Sequence, residues 1–289
     1  MSIRTLLLVI LAVPAAILGG AWLLGERIPV PQFGRDYVMR FLLREEAPEF
    51  ALPGVQGPAD PSRPLVVIDA GHGGRDFGAM TEGVREKDIV LAIALEVRRA
   101  LIEAGGIRVA MTRDGDELVP LEYRPEIARQ LEADLFLSIH ADSAGDLSDV
   151  SGASIYTLSD KASNEAAARY AARENNADVV NGVTIEGQSA EVSAILVELS
   201  QARTIEESAR FAGLIEREGQ GRIDFHPTPR RSAALVVLRA PDVPAVLFES
   251  GFVTNEADRE RLATPEGRRE YAGALAQAIR VYFARRSGG

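Results

Sequence analysis

Apolar and polar positions along the chain fall into three regimes. Residues 5–25, from Thr5 to Gly25, carry no charge, and as a helix they would extend about 30 Å, enough to cross a bilayer core. Residues 26–63 are rich in proline, show no sustained period and read as a linker. Within it Phe33, Tyr37, Val38, Phe41 and Leu42 suggest a short amphipathic helix at a membrane surface. From residue 64 to about residue 286, short β-branched runs alternate with helical periods, as expected of one folded domain.

That domain opens with Leu65 to Ile68, a buried-strand pattern running into Gly71-His72-Gly73-Gly74. Ile89, Ile93, Val97 and Leu101 mark one face of a helix that begins near Glu86 and stops at Gly105-Gly106. A strand over Ile107–Thr112, a helix around Tyr123–Glu132, a strand from Asp134 ending at His140 and another over Ser154–Leu158 follow. Such alternation predicts an α/β fold, a mostly parallel sheet with helices on both faces. Between Ser159 and Gly219 only helical periods occur. They are an Ala-rich stretch at 163–174, then Val192, Ile195, Leu196 and Leu199, then Phe211, Leu214 and Ile215 behind a capping box at Thr204-Ile205-Glu206-Glu207. This is a helical insertion in an α/β chain. Strands return at Leu235–Leu238 and Val243–Phe248, and a last helix spans about Pro265 to Phe283.

Charge and composition narrow the picture. A net charge of −10 argues against nucleic-acid binding, which needs clustered Lys and Arg. The chain has no cysteine, so disulfides and thiolate metal sites are excluded, and any metal must be held by His, Asp or Glu. Arg4 precedes the uncharged run while Glu26 and Arg27 follow it, which puts the N-terminus in the cytoplasm and the bulk of the chain outside. The run exceeds the usual 7–15-residue signal core, favouring an uncleaved anchor over a signal peptide cut near Gly20 or Ala21. Either way the domain is delivered across a membrane.

Four polar residues fall at strand ends or at a helix start: His72, Glu86, His140 and Glu249. In open α/β sheets, ligands bind beyond the carboxyl ends of the strands. Two imidazoles and a carboxylate leave a tetrahedral Zn²⁺ one open position for water, and a further carboxylate can take that water's proton. His72, Glu86 and His140 suit the ligand set, and Glu249 the base. Taken singly, each has a plainer reading: a hydrogen-bonded structural histidine, a carboxylate at a helix N-terminus, a cap.

The stretches VVIDAGHGGRDFGA, EKDIVLAIA, ADLFLSIHAD and APDVPAVLFESGFVTN, in that order, resemble the zinc-dependent N-acetylmuramoyl-L-alanine amidases of the amidase-3 family. The resemblance covers roughly residues 64–285 and assigns the same roles, with His72, Glu86 and His140 on zinc and Glu249 catalytic. It implies hydrolysis of the amide between N-acetylmuramic acid and the L-alanine of peptidoglycan stem peptides. The sequence from Lys161 to Val183 and the later VELSQARTIEESARFA resemble the inserted helical region of cell-division amidases, which covers the active site until an activator of LytM type binds. On that resemblance Glu174 is the candidate inhibitory zinc ligand; its plainer reading is a solvated charge on an Ala-rich helix.

Other residues receive lesser roles. Asp69 and Asp142 flank the histidines and could orient them. His226 sits in a proline-rich loop, and Arg75 and Arg231 could face an anionic substrate. The expected protein is thus a periplasmic amidase anchored to the inner membrane through residues 5–25, or released if that segment is cleaved. The alternatives are a non-catalytic peptidoglycan-binding or regulatory module of the same fold, and a metal peptidase acting on another amide.

Overall fold

A computed structural model describes residues 51–143, 149–176 and 193–287. The uncharged run 5–25 and the short helix predicted near residues 33–42 lie outside these. Among the described residues no helix is long and apolar enough to cross a membrane.

Six strands form one sheet in the order β4-β1-β5-β8-β6-β7. They are β1 (Leu65–Ala70), β4 (Arg108–Met111), β5 (Leu135–Asp142), β6 (Ala153–Leu158), β7 (Phe225–Ala233) and β8 (Ala245–Phe252). The first four in spatial order run parallel; β6 is antiparallel to β8 and parallel to β7. A small hairpin of β2 (Met80–Thr81) and β3 (Val84–Arg85) precedes α1 (Glu86–Ala104). The remaining helices are α2 (Tyr123–Gln130), α3 (Glu165–Asn175), α4 (Ser193–Gly219), α5 (Glu256–Ala263) and α6 (Pro265–Ser287).

Because side chains alternate across a strand, β1 feeds two cores. Val66 and Ile68 join α1, α4 and α6 through Ile93, Val97, Phe211, Ile215, Leu275 and Ile279. Leu65 and Val67 join α2 and α3 through Ile127, Ala128, Ala167, Tyr170 and Ala171. The expected helix layers on both faces are therefore present.

Three local expectations need correction. Thr204 opens no helix: α4 runs unbroken from Ser193 to Gly219, and the Ser208 hydroxyl donates back to the Thr204 carbonyl at 2.6 Å. Its C-terminal half packs in the core beside α6, so the helical excursion is partly a structural layer. No strand forms at Leu235–Leu238, where a 3₁₀ turn spans Val236–Leu238. The strand is instead β7, and it contains His226 with Pro227 and Pro229. Proline lacks a ladder donor, and β7 tolerates it because it is the sheet's edge. At the opposite edge the linker is not wholly free. Gln56 pairs with Val109 of β4 in an antiparallel bridge, with N–H···O distances of 2.8 and 2.9 Å.

Candidate active site

The parallel ladder sets the site. β1, β5 and β8 are neighbours, and His140 on β5 is the register partner of Glu249 on β8. His140 thus sits within the strand and not after it, as does Glu249. His72 lies just past β1 with φ 60°, a left-handed conformation rare for a residue with a side chain. Glu86 is the first residue of α1, whose N–H groups favour a carboxylate.

Close backbone approach brings these groups together. A Cβ on Gly71 would lie 2.4 Å from the His140 ring, and one on Gly78 would lie 2.5 Å from Glu86 Oε2 and 2.6 Å from His72 Cδ2. The two imidazoles meet edge to face, 4.9 Å between centroids. Glu86 accepts from the N–H groups of Ala79 at 2.8 Å and Ala141 at 2.9 Å, which fix both of its oxygens. His72 Nδ1 lies 2.8 Å from Asp76 Oδ2, so the neutral ring keeps its proton there and turns the Nε2 lone pair inward.

Four ligand-type atoms then converge. Glu86 Oε1 lies 3.2 Å from His72 Nε2 and 3.1 Å from His140 Nδ1, while Glu174 Oε2 lies 3.6 and 3.5 Å from the same nitrogens. One ligand atom each from His72, His140 and Glu174 lies within 4.8 Å of the others. A tetrahedral ion with bonds of about 2.0–2.1 Å has ligand–ligand edges of about 3.3–3.4 Å, and the four separations bracket that value. His72 Nε2 has no hydrogen-bond partner although buried. Carboxylate oxygens and imidazole nitrogens this close need a positive charge among them, which a protonated His72 or a bound metal would supply. The donor set, two imidazoles and two carboxylates, suits zinc.

Glu249 is 1 % exposed and neither of its oxygens has a hydrogen-bond partner. Burial, then the charges of Asp142, Glu86 and Glu174, push its pKa well above the usual carboxylate range. The Tyr170 hydroxyl from α3, also buried, faces it. Burial works against a charged His72, yet Glu86 and Asp76 hold its pKa well above the ordinary value, and the same pairing holds Glu86 well below its own. Burial lifts Asp142 to about 7 against the pull of Arg173.

Helix α3 enters the site on its final turn. Asn164 caps its start, accepting from Ala167 N–H at 2.8 Å. Arg173 donates to Asp142 and, at 2.9 Å, to the Ser143 carbonyl. Asn175 donates to the Ala234 carbonyl at 2.7 Å and accepts from Val236 N–H at 2.9 Å. Tyr170, one turn before Glu174, stacks on Tyr156 at 4.6 Å.

The structure thus gathers His72, Glu86, His140 and Glu174, with Glu249 alongside on the next strand. It does not give Asp69 or Asp142 the orienting role expected of them. Asp69 accepts from Thr112, Ser138 and Arg124, and Asp142 from Arg173 and Ser143. Asp76, four residues after His72, takes that role for His72, and the i, i+4 spacing within a glycine-rich turn was its signal. Arg231 is buried against the Tyr156 hydroxyl at 3.2 Å, and His226 bonds locally to Thr228. Tyr170, Asn175, Arg113 and Arg124 had no sequence signal of their own.

Fold and site together give an α/β protein with a cluster of metal-ligand-type side chains at the carboxyl ends of three adjacent parallel strands. Residues 66–281 match the Amidase_3 family, N-acetylmuramoyl-L-alanine amidase. The chain is 39% identical over 224 residues to N-acetylmuramoyl-L-alanine amidase AmiA of Salmonella typhimurium, covering 77% of each chain. It is 37% identical over 232 residues to AmiC of Escherichia coli O6:H1, covering 79% of this chain and 55% of that one. Among solved structures, N-acetylmuramoyl-L-alanine amidase AmiC2 of Nostoc punctiforme superposes with a TM-score of 0.55 at 29% identity, covering 76% of this chain and 97% of the other. The catalytic domain of CwlV from Bacillus (Paenibacillus) polymyxa gives 0.54 at 25% identity, covering 76% and 98%. The chain belongs to the N-acetylmuramoyl-L-alanine amidase family and is an enzyme of that class.

Proposed function

We propose that the chain is a zinc amidase that cleaves the bond between N-acetylmuramic acid and L-alanine in peptidoglycan stem peptides, held inactive by its own helix α3. The observation that supports this most is the set of 3.1–3.6 Å separations among His72 Nε2, His140 Nδ1, Glu86 Oε1 and Glu174 Oε2. His72, Glu86 and His140 would hold the metal during turnover. Bound zinc supplies a Lewis acid that polarises the scissile carbonyl and lowers the pKa of water towards neutrality. Asp76 keeps the His72 tautomer that presents Nε2, and the Ala79 and Ala141 N–H groups keep Glu86 oriented. Glu249, buried beside the cluster, accepts the proton of the attacking water and delivers it to the departing amine. Its raised pKa reflects its burial and then the carboxylates around it, and a dication held among them would lower it.

Glu174 would take the position that water needs, while Tyr170 covers Glu249. Release then requires α3 to leave, and a LytM-type activator is the expected agent. The uncharged run 5–25 would anchor the enzyme in the inner membrane with its catalytic domain in the periplasm. The test is metal analysis of the purified full-length chain with mass spectrometry of digested sacculi. About one zinc per chain, with free stem peptides beginning at alanine and lactyl-bearing glycans, is expected. Products cut at any other bond would rule the substrate assignment out.

A further inference from the structure

We propose that Arg113 and Arg124 are positioning residues of the metal centre, holding His72 by three consecutive main-chain carbonyls. The proposal rests on the zinc reading above.

Both arginines are buried, 3 % and 4 % exposed, behind the turn that carries His72. The Ala70 carbonyl accepts from Arg113 Nε and Arg124 Nη1, each at 2.8 Å. The Gly71 carbonyl accepts from Arg113 Nη2 and the His72 carbonyl from Arg124 Nη2, again at 2.8 Å. The carbonyls of residues 70 to 72 thus all point into two guanidinium groups. His72 has φ 60°, in the left-handed region that disfavours a residue with a Cβ. These bonds hold it there, and with it the direction of its imidazole.

Arg113 does more than fix the turn. Its Nη2 also donates to the Lys87 carbonyl at 2.9 Å, one residue past Glu86, and its Nη1 to the Gly115 carbonyl at 2.8 Å. One guanidinium therefore ties the His72 turn to the first turn of the helix that bears Glu86. Arg124 anchors the other side, to Asp69 at 2.7 Å and to the Val119 carbonyl at 3.1 Å. Two buried guanidinium groups lie side by side and only Arg124 of the two bonds the fully buried Asp69, an arrangement that costs stability. What it provides is a planar fork at each carbonyl, which a lysine ammonium cannot reproduce.

The experiment measures zinc affinity by competition with a chromogenic chelator, and the Co²⁺ absorption spectrum, in the full-length chain. The variants are Arg113→Lys, Arg124→Lys and, as control, Thr112→Val. Thr112 donates to the same Asp69 at 2.6 Å but is bonded to none of the carbonyls of residues 70–72 through its side chain. Both lysine variants are expected to lose about 10-fold or more in zinc affinity and to change the Co²⁺ spectrum. Thr112→Val is expected to melt earlier yet bind zinc like the parent. Folded lysine variants with parental affinity and spectrum would overturn the proposal, as would a control that loses affinity in step with its stability. If Arg124→Lys leaves Asp69 unpaired and fails to fold, Arg113→Lys, which does not bond Asp69, decides alone. A folded parent that takes up no zinc overturns the metal reading first and this inference with it.

Discussion

The grip of α3 on the site can be loosened at a residue that touches none of the reacting groups. Asn175 holds the end of α3 through two hydrogen bonds, to the Ala234 carbonyl at 2.7 Å and from Val236 N–H at 2.9 Å. Both exist only while α3 is docked. A neutral, half-buried hydrogen bond contributes about 0.5–1.5 kcal/mol net, so Asn175→Ala removes about 2 kcal/mol from the closed state. In the open state those backbone groups meet water and lose little. A bias of about 2 kcal/mol shifts the open-to-closed ratio roughly 30-fold, and the basal rate follows until the open form predominates. Dye release from labelled sacculi, at fixed zinc and without activator, reads that rate. Glu174→Ala serves as the companion variant, since it clears the position at the metal without undocking the helix. Asn175→Ala is expected to approach its rate. A parental rate in Asn175→Ala beside a fast Glu174→Ala would refute the docking argument; parental rates in both, with zinc bound, would remove autoinhibition altogether.

Other outcomes follow from the same geometry. Glu249→Gln should cut turnover by about 10²–10⁴ while keeping zinc, and should raise the melting temperature, because the native carboxylate is buried among like charges; an active Glu249→Gln protein would exclude this residue as the base. Gly71→Ala should lower zinc affinity by displacing the His140 ring, which lies 2.4 Å from the new methyl position; unchanged affinity in a titration would contradict the packing described. Burial opposes the charge of Asp69, but Arg124, Ser138 and Thr112 outweigh it and depress its pKa. That stabilisation is complete above the unfolded value of about 3.9 and is lost as pH falls through the lower folded value. Urea midpoints from pH 5 downwards should therefore fall more steeply for the parent than for Asp69→Asn, and parallel curves would contradict it.

How much of this was legible beforehand varied with the physics involved. β1 and β5 announced themselves because their residues are buried on both faces and so form largely apolar runs, β5 interrupted only by Ser138, each leading to a histidine. Glu86 was legible as a helix start. β7 was hidden because Pro227 and Pro229 argue against a strand, and only its place at the sheet edge makes them acceptable. Thr204 satisfied the capping pattern, but the long helix runs through it and buries it together with Ser208 one turn on, and tertiary packing overrode the local signal. Tyr170 looked like one aromatic in an Ala-rich helix until docking placed it opposite Glu249. Arg113 and Arg124 act on backbone oxygens, which leave no trace in a residue pattern.

The pairing of His140 with Glu249 across two hydrogen-bonded strands has a consequence for how this enzyme can vary. Their spacing is one inter-strand step, about 4.8 Å, set by the ladder itself and independent of any loop. Segments can lengthen or shorten between Ser159 and Arg203 without changing the separation of these two residues. Slippage of β8 by a single residue is the change that cannot be absorbed, since it would turn the carboxylate to the far face of the sheet.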